Sequence, residues 1–193
     1  MSSSLLFLLA SALASYIIGA IPFSYLIPRV LLDTDVRQHG SGNPGASNVS
    51  RVCGKGYGIA ALVLDVGKGV AAMYLAGQLG GLALLGFLAV LGHVANPFFN
   101  FSGGKGVATS LGAISYVSPI AGGVFVGIWV AVFSIWSIAG LSSLTAITAI
   151  PLLFYFFDKP PLTLATSVGL MLFIYLTHRG NIARLFRGEE RTL

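Results

Sequence analysis

The chain has 193 residues, 55% of them hydrophobic and only 9% charged, with a formal net charge of +5 and a mean hydropathy of +0.87. A soluble domain carries roughly 25% charged residues, so a water-soluble globule is excluded. The basic residues sit at the ends of apolar runs without aromatic platforms, which excludes a nucleic-acid surface and suits membrane topology.

A span needs about 20 apolar residues to cross about 30 Å of hydrocarbon. Residues 5–30 supply the first: MSSSLLFLLA lacks a basic leader region, and its apolar stretch outruns a signal-peptide core, so it reads as a retained span. Residues 57–79 supply the second, with Asp65 and Lys68 inside it at an i, i+3 spacing that lets them pair as a structural or supporting couple. The run 81–95 is shorter and closes at Leu91-Gly92-His93, and 107–118 has about half the usual span length. Residues 120–139, 141–157 and 162–178 complete the set. Small residues such as Gly67, Gly69, Gly77, Gly122, Gly123 and Gly127 predict close helix packing in lipid. The single Cys53 excludes an intrachain disulfide and reads as structural.

Charge sets the expected topology. Loop 33–55 carries Arg37, Arg51 and Lys55, loop 96–106 carries Lys105, and the tail carries Arg179, Arg184, Arg187 and Arg191; Lys159 is the basic residue of the remaining connections. The positive-inside rule places the first three groups in the cytoplasm, which requires a turn at Ser118-Pro119. A continuous helix over 107–139 would be about 50 Å long and would put the arginine-rich tail outside. The expected fold is a single all-α integral membrane domain over residues 1–193. It has seven spans, the N-terminus outside and the C-terminus cytoplasmic. The Asn-x-Ser matches at Asn48 and Asn100 then lie inside the cell and are discounted as glycosylation sites.

With that topology the polar motifs share one face: GSGNPGASNVSR at 40–51 running into GKG at 54–56, NPFFNFSGGKGVATS at 96–110, LSSL at 141–144, and THRGNIARLFRGEER at 177–191. Gly40, Gly42 and Gly45 form a literal G-x-G-x-x-G, but no strand precedes it, and Gly104-Lys105 is followed by glycine, so neither nucleotide loop is present. Glycine-rich turns still expose successive N–H groups that bind anions, and helix starts add a partial positive charge. Such starts are expected after the first motif, after GGKG, and after Ser142-Ser143. Ordinary turn chemistry accounts for one Gly/Ser/Asn loop, but poorly for three such loops on one face, since short connections would serve.

Lys105, a cation placed at a helix start, points to a bound anion. Arg51 reads as a ligand or a snorkelling residue, and His93 as a site residue or a mere interfacial one. His178, beside Arg179 and Asn181, can donate to phosphate or take a proton near neutral pH. Ile182, Leu185 and Phe186 share a helical face flanked by arginines, as in a helix lying in the membrane interface. Glu189 and Glu190 read as electrostatic caps of the tail. No protein nucleophile, metal cluster or carboxylate pair stands out, which suggests direct transfer between two bound phosphate compounds, driven by positioning and charge neutralisation.

GSGNPGASNVSR, LDVGKG at 64–69, GGKGVATS at 103–110, LSSLT at 141–145 and HRGNIARLFRGEE at 178–190 occur in this order, and with them the chain from about residue 15 onward resembles the bacterial acyl-phosphate:glycerol-3-phosphate acyltransferase family. The resemblance implies a multi-pass enzyme of the bacterial cytoplasmic (inner) membrane. Such an enzyme moves a fatty acyl group from acyl phosphate to the 1-hydroxyl of glycerol 3-phosphate, the first acylation of phospholipid synthesis. It implies no cofactor, no metal, no acyl-CoA, and no nucleic-acid partner; its partners are the two substrates and membrane lipid. It further implies that Ser41, Asn43, Gly45, Asn48 and Arg51 hold phosphate. Gly103, Gly104, Lys105, Gly106, Thr109 and Ser110 would hold the phosphate of glycerol 3-phosphate, with Ser142 and Ser143 also on the substrate. His178 and Asn181 would orient the acceptor hydroxyl or acyl carbonyl, Arg51 and Lys105 completing the catalytic set. The His-x4-Asp motif of soluble-type acyltransferases is absent here. The competing class, a transporter of a phosphate compound, would place its site near the midplane, often between inverted repeats, and no such repeat is found.

Overall fold

The computed structural model describes residues 3–79 and 83–192, as α-helices joined by turns and short 3-10 stretches; the first two residues of the expected run 81–95 lie outside the described residues. The chain divides into two compact units, Met1–Tyr116 and Val117–Leu193.

The first unit opens with α1 (Ser3–Ala20) and α2 (Phe23–Leu32), the single expected span 5–30 being broken at Ile21-Pro22. Proline has no N–H to continue a helix, so carbonyls at the break need other donors. Asn96 Nδ2 reaches the Ala20 carbonyl at 2.7 Å, and Lys68 Nζ the Ile21 carbonyl at 2.8 Å. α3 (Ala46–Cys53) and α4 (Lys55–Gln78) follow, with only Gly54 between them. Val36, Val49 and Ala61, all fully buried, fasten the loop before α3 and α3 itself onto α4, with Ile27 and Tyr57 packed around them. α5 (Leu88–Val94) and α6 (Val107–Val117) complete the unit. At 1.5 Å per residue α6 is about 16 Å long, half of a bilayer core.

Glycines set the helix approaches, but mostly not those the sequence suggested. A Cβ on Gly19 would overlap the Ala89 carbonyl, one on Gly92 the Tyr16 carbonyl, one on Gly86 the Met73 backbone. α4 and α6 meet the same way, Gly69 against the Thr109 carbonyl and Gly112 against that of Val66. Of the expected set, Gly69 is such a contact, whereas Gly67, Gly123 and Gly127 face open space. Small residues permit close approach; only the tertiary crossing decides which are used.

The second unit contains α7 (Pro119–Trp136), α8 (Ala139–Phe156), α9 (Pro161–Thr177) and α10 (Arg179–Phe186). The helix breaks at Ser118, where the sequence placed a turn: Ser118 Oγ accepts the Ala121 N–H at 3.3 Å, and Pro119 takes the first helical position, where its missing N–H costs nothing. The chain reverses between α7 and α8 through Ser137 at φ +55°. Phe125, Ile147, Ile150, Phe154 and Ile174 form the buried interior.

The described residues thus form an all-helical fold. Among the described residues four segments are long and apolar enough to cross a membrane (Leu5–Leu32, Lys55–Gln78, Pro119–Trp136, Ala139–Phe156), or five if α9 and α10, bent by 61°, count as one.

Candidate functional site

In the first unit the loop between α2 and α3 is built around Asn48. Its Oδ1 accepts the Ser41 N–H at 2.8 Å, while its Nδ2 donates to the carbonyls of Val36 at 2.8 Å and His39 at 3.0 Å. The side chain is 1% exposed. Asn48 was expected to hold phosphate; its amide is instead committed to the loop, because the Ser41 N–H and the Val36 and His39 carbonyls lie outside any α-helix and polar backbone groups there must find partners. Gly42, at φ +72°, lets the chain turn so that Ser41, Asn43 and Pro44 line a cleft. Gly45 stands at the N-cap of α3 and Arg51, half-buried, in its last turn.

Asp35 and Arg37 form the wall of that cleft. Arg37 Nε lies 2.9 Å from Asp35 Oδ1 and Nη2 2.7 Å from Oδ2, a bidentate pair. The guanidinium also lies 4.6 Å from the Tyr25 ring centroid and 4.7 Å from that of Phe99. Its side-chain hydrogen bond to Asp35 is the main cause that lowers the Asp35 carboxyl from 3.8 to about 2, against the opposing effect of burial; the same bond raises the Arg37 value. The cleft encloses about 440 Å³ and takes Asp35, Gln38, Ser41 and Asn43 from the first loop and Phe99, Ser102 and Gly103 from the second. An apolar cleft of about 430 Å³ adjoins it, lined by Pro22, Tyr25, Leu26 and Phe98 and sharing Arg37 and Phe99.

The second loop leaves α5 through a turn capped by Asn96, whose Oδ1 accepts the Phe98 N–H at 3.0 Å. Gly103 N–H then donates to the Val94 carbonyl at 2.7 Å and Gly104 N–H to that of His93 at 3.2 Å. These two amides were expected in an anion nest; they fasten the loop to the end of α5. Gly106, at φ +87°, makes the turn into α6. Lys105 is half-buried. Ser110 Oγ donates to the Gly106 carbonyl at 2.8 Å, while Thr109 Oγ1 is buried with no hydrogen-bond partner.

Beneath that loop Asp65 and Lys68 pair at 2.7 Å, as their spacing predicts, and Lys68 Nζ lies 2.9 Å from His93 Nδ1. Asp65 also accepts from Ser24 Oγ at 2.6 Å. Cys53 sits at the end of α3, and burial pushes its thiol up, away from the reactive thiolate. Among the described residues no group of three His, Cys, Asp or Glu side chains could hold a metal ion.

In the second unit α8 begins at Ala139, so Ser142 and Ser143 lie inside the helix rather than before it, a correction to the expected helix start. Their hydroxyls donate back to the Ile138 carbonyl at 2.9 Å and the Ala139 carbonyl at 2.8 Å, and Ser143 Oγ also accepts from Trp129 Nε1 at 3.1 Å. His178 joins α9 to α10 and is 2% exposed. Its Nδ1 is 2.8 Å from the Ile174 carbonyl, which can only accept, so Nδ1 carries the proton and Nε2 the lone pair. Asn181 packs on Gly140, where a Cβ would stand 2.9 Å from its Nδ2. Asn181 Nδ2 donates to Glu190 Oε1 at 2.6 Å, and Arg184 Nε to Oε2 at 2.8 Å. Glu190 therefore anchors Asn181, a role that a reading of the tail as plain capping missed. Arg187 and Glu189 pair at the surface at 2.8 Å, and Phe186 is 89% exposed, as an interfacial helix requires.

The first unit thus gathers Ser41, Asn43 and Gly103 around one cleft. The second gathers His178 and Asn181 at the α9–α10 bend, with Glu190 on Asn181. Asp35, Arg37 and Phe99 were not singled out as site residues; the Asp-x-Arg spacing of 35–37 was the available signal for the pair.

The family model described as glycerol-3-phosphate acyltransferase matches residues 9–188. A glycerol-3-phosphate acyltransferase from Desulforudis audaxviator is 39% identical over 91% of this chain and 90% of its own length. One from Photobacterium profundum is 40% identical over 92% and 89%. The crystal structure of PlsY, an integral membrane glycerol 3-phosphate acyltransferase, in its glycerol 3-phosphate form superposes with a TM-score of 0.90 at 34% identity, covering 96% of this chain and 94% of that one. Its lysophosphatidic acid form gives 0.88.

Proposed function

The chain belongs to the glycerol-3-phosphate acyltransferase family, and from that premise we propose that it transfers a fatty acyl group from acyl phosphate to the 1-hydroxyl of glycerol 3-phosphate as a single acyltransferase domain. The acceptor oxygen attacks the acyl carbonyl carbon, the bond from that carbon to the phosphate oxygen breaks, and lysophosphatidic acid and phosphate result. The hydroxyl proton passes to His178 Nε2 or to the departing phosphate, and no acyl-enzyme forms. A cation such as Lys105 or Arg51 neutralises the oxyanion and the leaving group, and Asn181, held by Glu190, orients the acceptor.

The observation that carries this reading is the cleft shared by the two glycine motifs, a polar chamber adjoining an apolar one. Such a pair of chambers suits substrates that are phosphates at one end and lipid at the other. Seven crossings, with the N-terminus outside and the C-terminus cytoplasmic in a bacterial inner membrane, would put the motif loops on the side where glycerol 3-phosphate is made. The arginines of α10 favour that orientation.

The test is product formation by purified protein in lipid from glycerol 3-phosphate with acyl phosphate or, separately, acyl-CoA. Lysophosphatidic acid from acyl phosphate alone is expected. Product from acyl-CoA alone would refute the donor, and product from neither, in folded protein, would refute the activity.

A further inference from the structure

Lys68, 4% exposed, has three acceptors around its ammonium: Asp65 Oδ1 at 2.7 Å, the Ile21 carbonyl at 2.8 Å and His93 Nδ1 at 2.9 Å. An ammonium has three N–H donors and nothing to accept with. Nδ1 of His93 must therefore meet it as a lone pair, and the neutral ring carries its proton on Nε2. Asp65 does not compete for the ring, because its Oδ1 stands 3.7 Å from Nδ1, beyond hydrogen-bond reach. The broken first span thus supplies a carbonyl, and α4 a lysine, that together fix which nitrogen of a histidine on α5 is the donor.

That donor points at the second motif. A Cβ on Gly104 would overlap Nε2, and the carbonyls of His93 and Val94 hold the N–H groups of Gly104 and Gly103. Ring and loop are therefore one rigid piece, and only a glycine at 104 leaves Nε2 uncovered by a side chain. His93 is 7% exposed, and among the described residues no acceptor takes its Nε2 proton. Thr109 Oγ1, in the first turn of α6, is buried without a partner. A buried hydroxyl left unmatched at that helix start is costly unless a ligand completes it.

We propose that His93 is a further substrate-binding residue: its Nε2–H donates past the bare Cα of Gly104 to a phosphate oxygen seated on the GGKG loop, and Lys68 positions it. This rests on the acyltransfer reading above. Either substrate brings a phosphate, so kinetics must say which one His93 holds. His93→Asn keeps an acceptor for Lys68 but has no donor at the Nε2 position; His93→Gln places an amide N–H there. With His93→Asn the KM for one substrate, glycerol 3-phosphate or acyl phosphate, is expected to rise about ten-fold, the loss of one hydrogen bond to a charged oxygen. His93→Gln should recover part of it. A fall in kcat with neither KM changed would overturn the proposal.

A second measurement uses the unaltered protein. In ¹⁵N-histidine-labelled protein in lipid, one ring is expected as the Nε2–H tautomer, and its Nε2 resonance should move when glycerol 3-phosphate or inorganic phosphate is added. With the His93 signal identified by its loss in His93→Asn, protonation of that ring on Nδ1, or a resonance indifferent to both anions and to an acyl phosphate analogue, would overturn it. If the unaltered protein forms no lysophosphatidic acid but the resonance responds, the activity reading fails and the phosphate site stands.

Discussion

Replacing Asn48 separates two roles that the sequence could not tell apart. Its amide makes three hydrogen bonds inside the first loop, at 2.8, 2.8 and 3.0 Å, from a position that is 1% exposed. At about 1 kcal/mol net for each, Asn48→Ala should weaken loop closure by about 3 kcal/mol, or roughly a hundred-fold in the opening equilibrium. Asn48→Asp keeps an acceptor for the Ser41 N–H but turns a carboxylate oxygen onto the carbonyls of Val36 and His39, so it should do at least as much damage. Hydrogen exchange of the backbone amides reads this directly, since the Ser41 N–H loses its acceptor in the alanine variant. Ser41 protection should fall by about two orders of magnitude while amides of α4 keep theirs, and turnover should drop because Ser41 and Asn43 leave the cleft wall. If Ser41 protection stayed within about two-fold of the parent while the KM for glycerol 3-phosphate rose, Asn48 would be a ligand and the reasoning wrong.

Glycine substitutions should split by tertiary contact. Gly19→Ala and Gly92→Ala drive a methyl into the backbone of a neighbouring helix and should each cost more than about 2 kcal/mol, read as a lowered Tm in lipid. Gly67→Ala and Gly127→Ala face open space and should be neutral or stabilising by up to about 1 kcal/mol; equal Tm losses in all four would contradict the packing. Glu190→Ala should release Asn181 and Arg184 together and lower kcat by about ten-fold or more; kinetics unchanged in folded protein would remove Glu190 as the anchor of Asn181. The Asp35 carboxyl titrates below its ordinary value in the folded chain, so its pair with Arg37 stabilises the loop fully above 3.8 and loses that contribution as the pH falls through about 2. Loop protection by hydrogen exchange should therefore be flat upward from about pH 4 and decline below it, and Asp35→Asn should remove that decline.

Several features were legible in the sequence because they are local. Apolar run length marks the segments able to cross a membrane. Proline after serine sets the helix break at 118–119, and the i, i+3 spacing pairs Asp65 with Lys68. The motifs pointed to the family, which the comparisons then established. What the tertiary structure alone decided concerns partners far apart in the chain. Lys68 meets His93 across 25 residues and Ile21 across 47, and Asn96 reaches Ala20 across 76. Which motif residues face the cleft and which serve the loop follows from that too: Asn48, Gly103 and Gly104 look like ligands by type, yet their polar groups answer backbone atoms brought to them by the fold. A buried backbone group must find a partner, and sequence spacing names that partner only while it lies within a turn of helix; beyond that distance, the packing of α1, α4 and α5 chooses it.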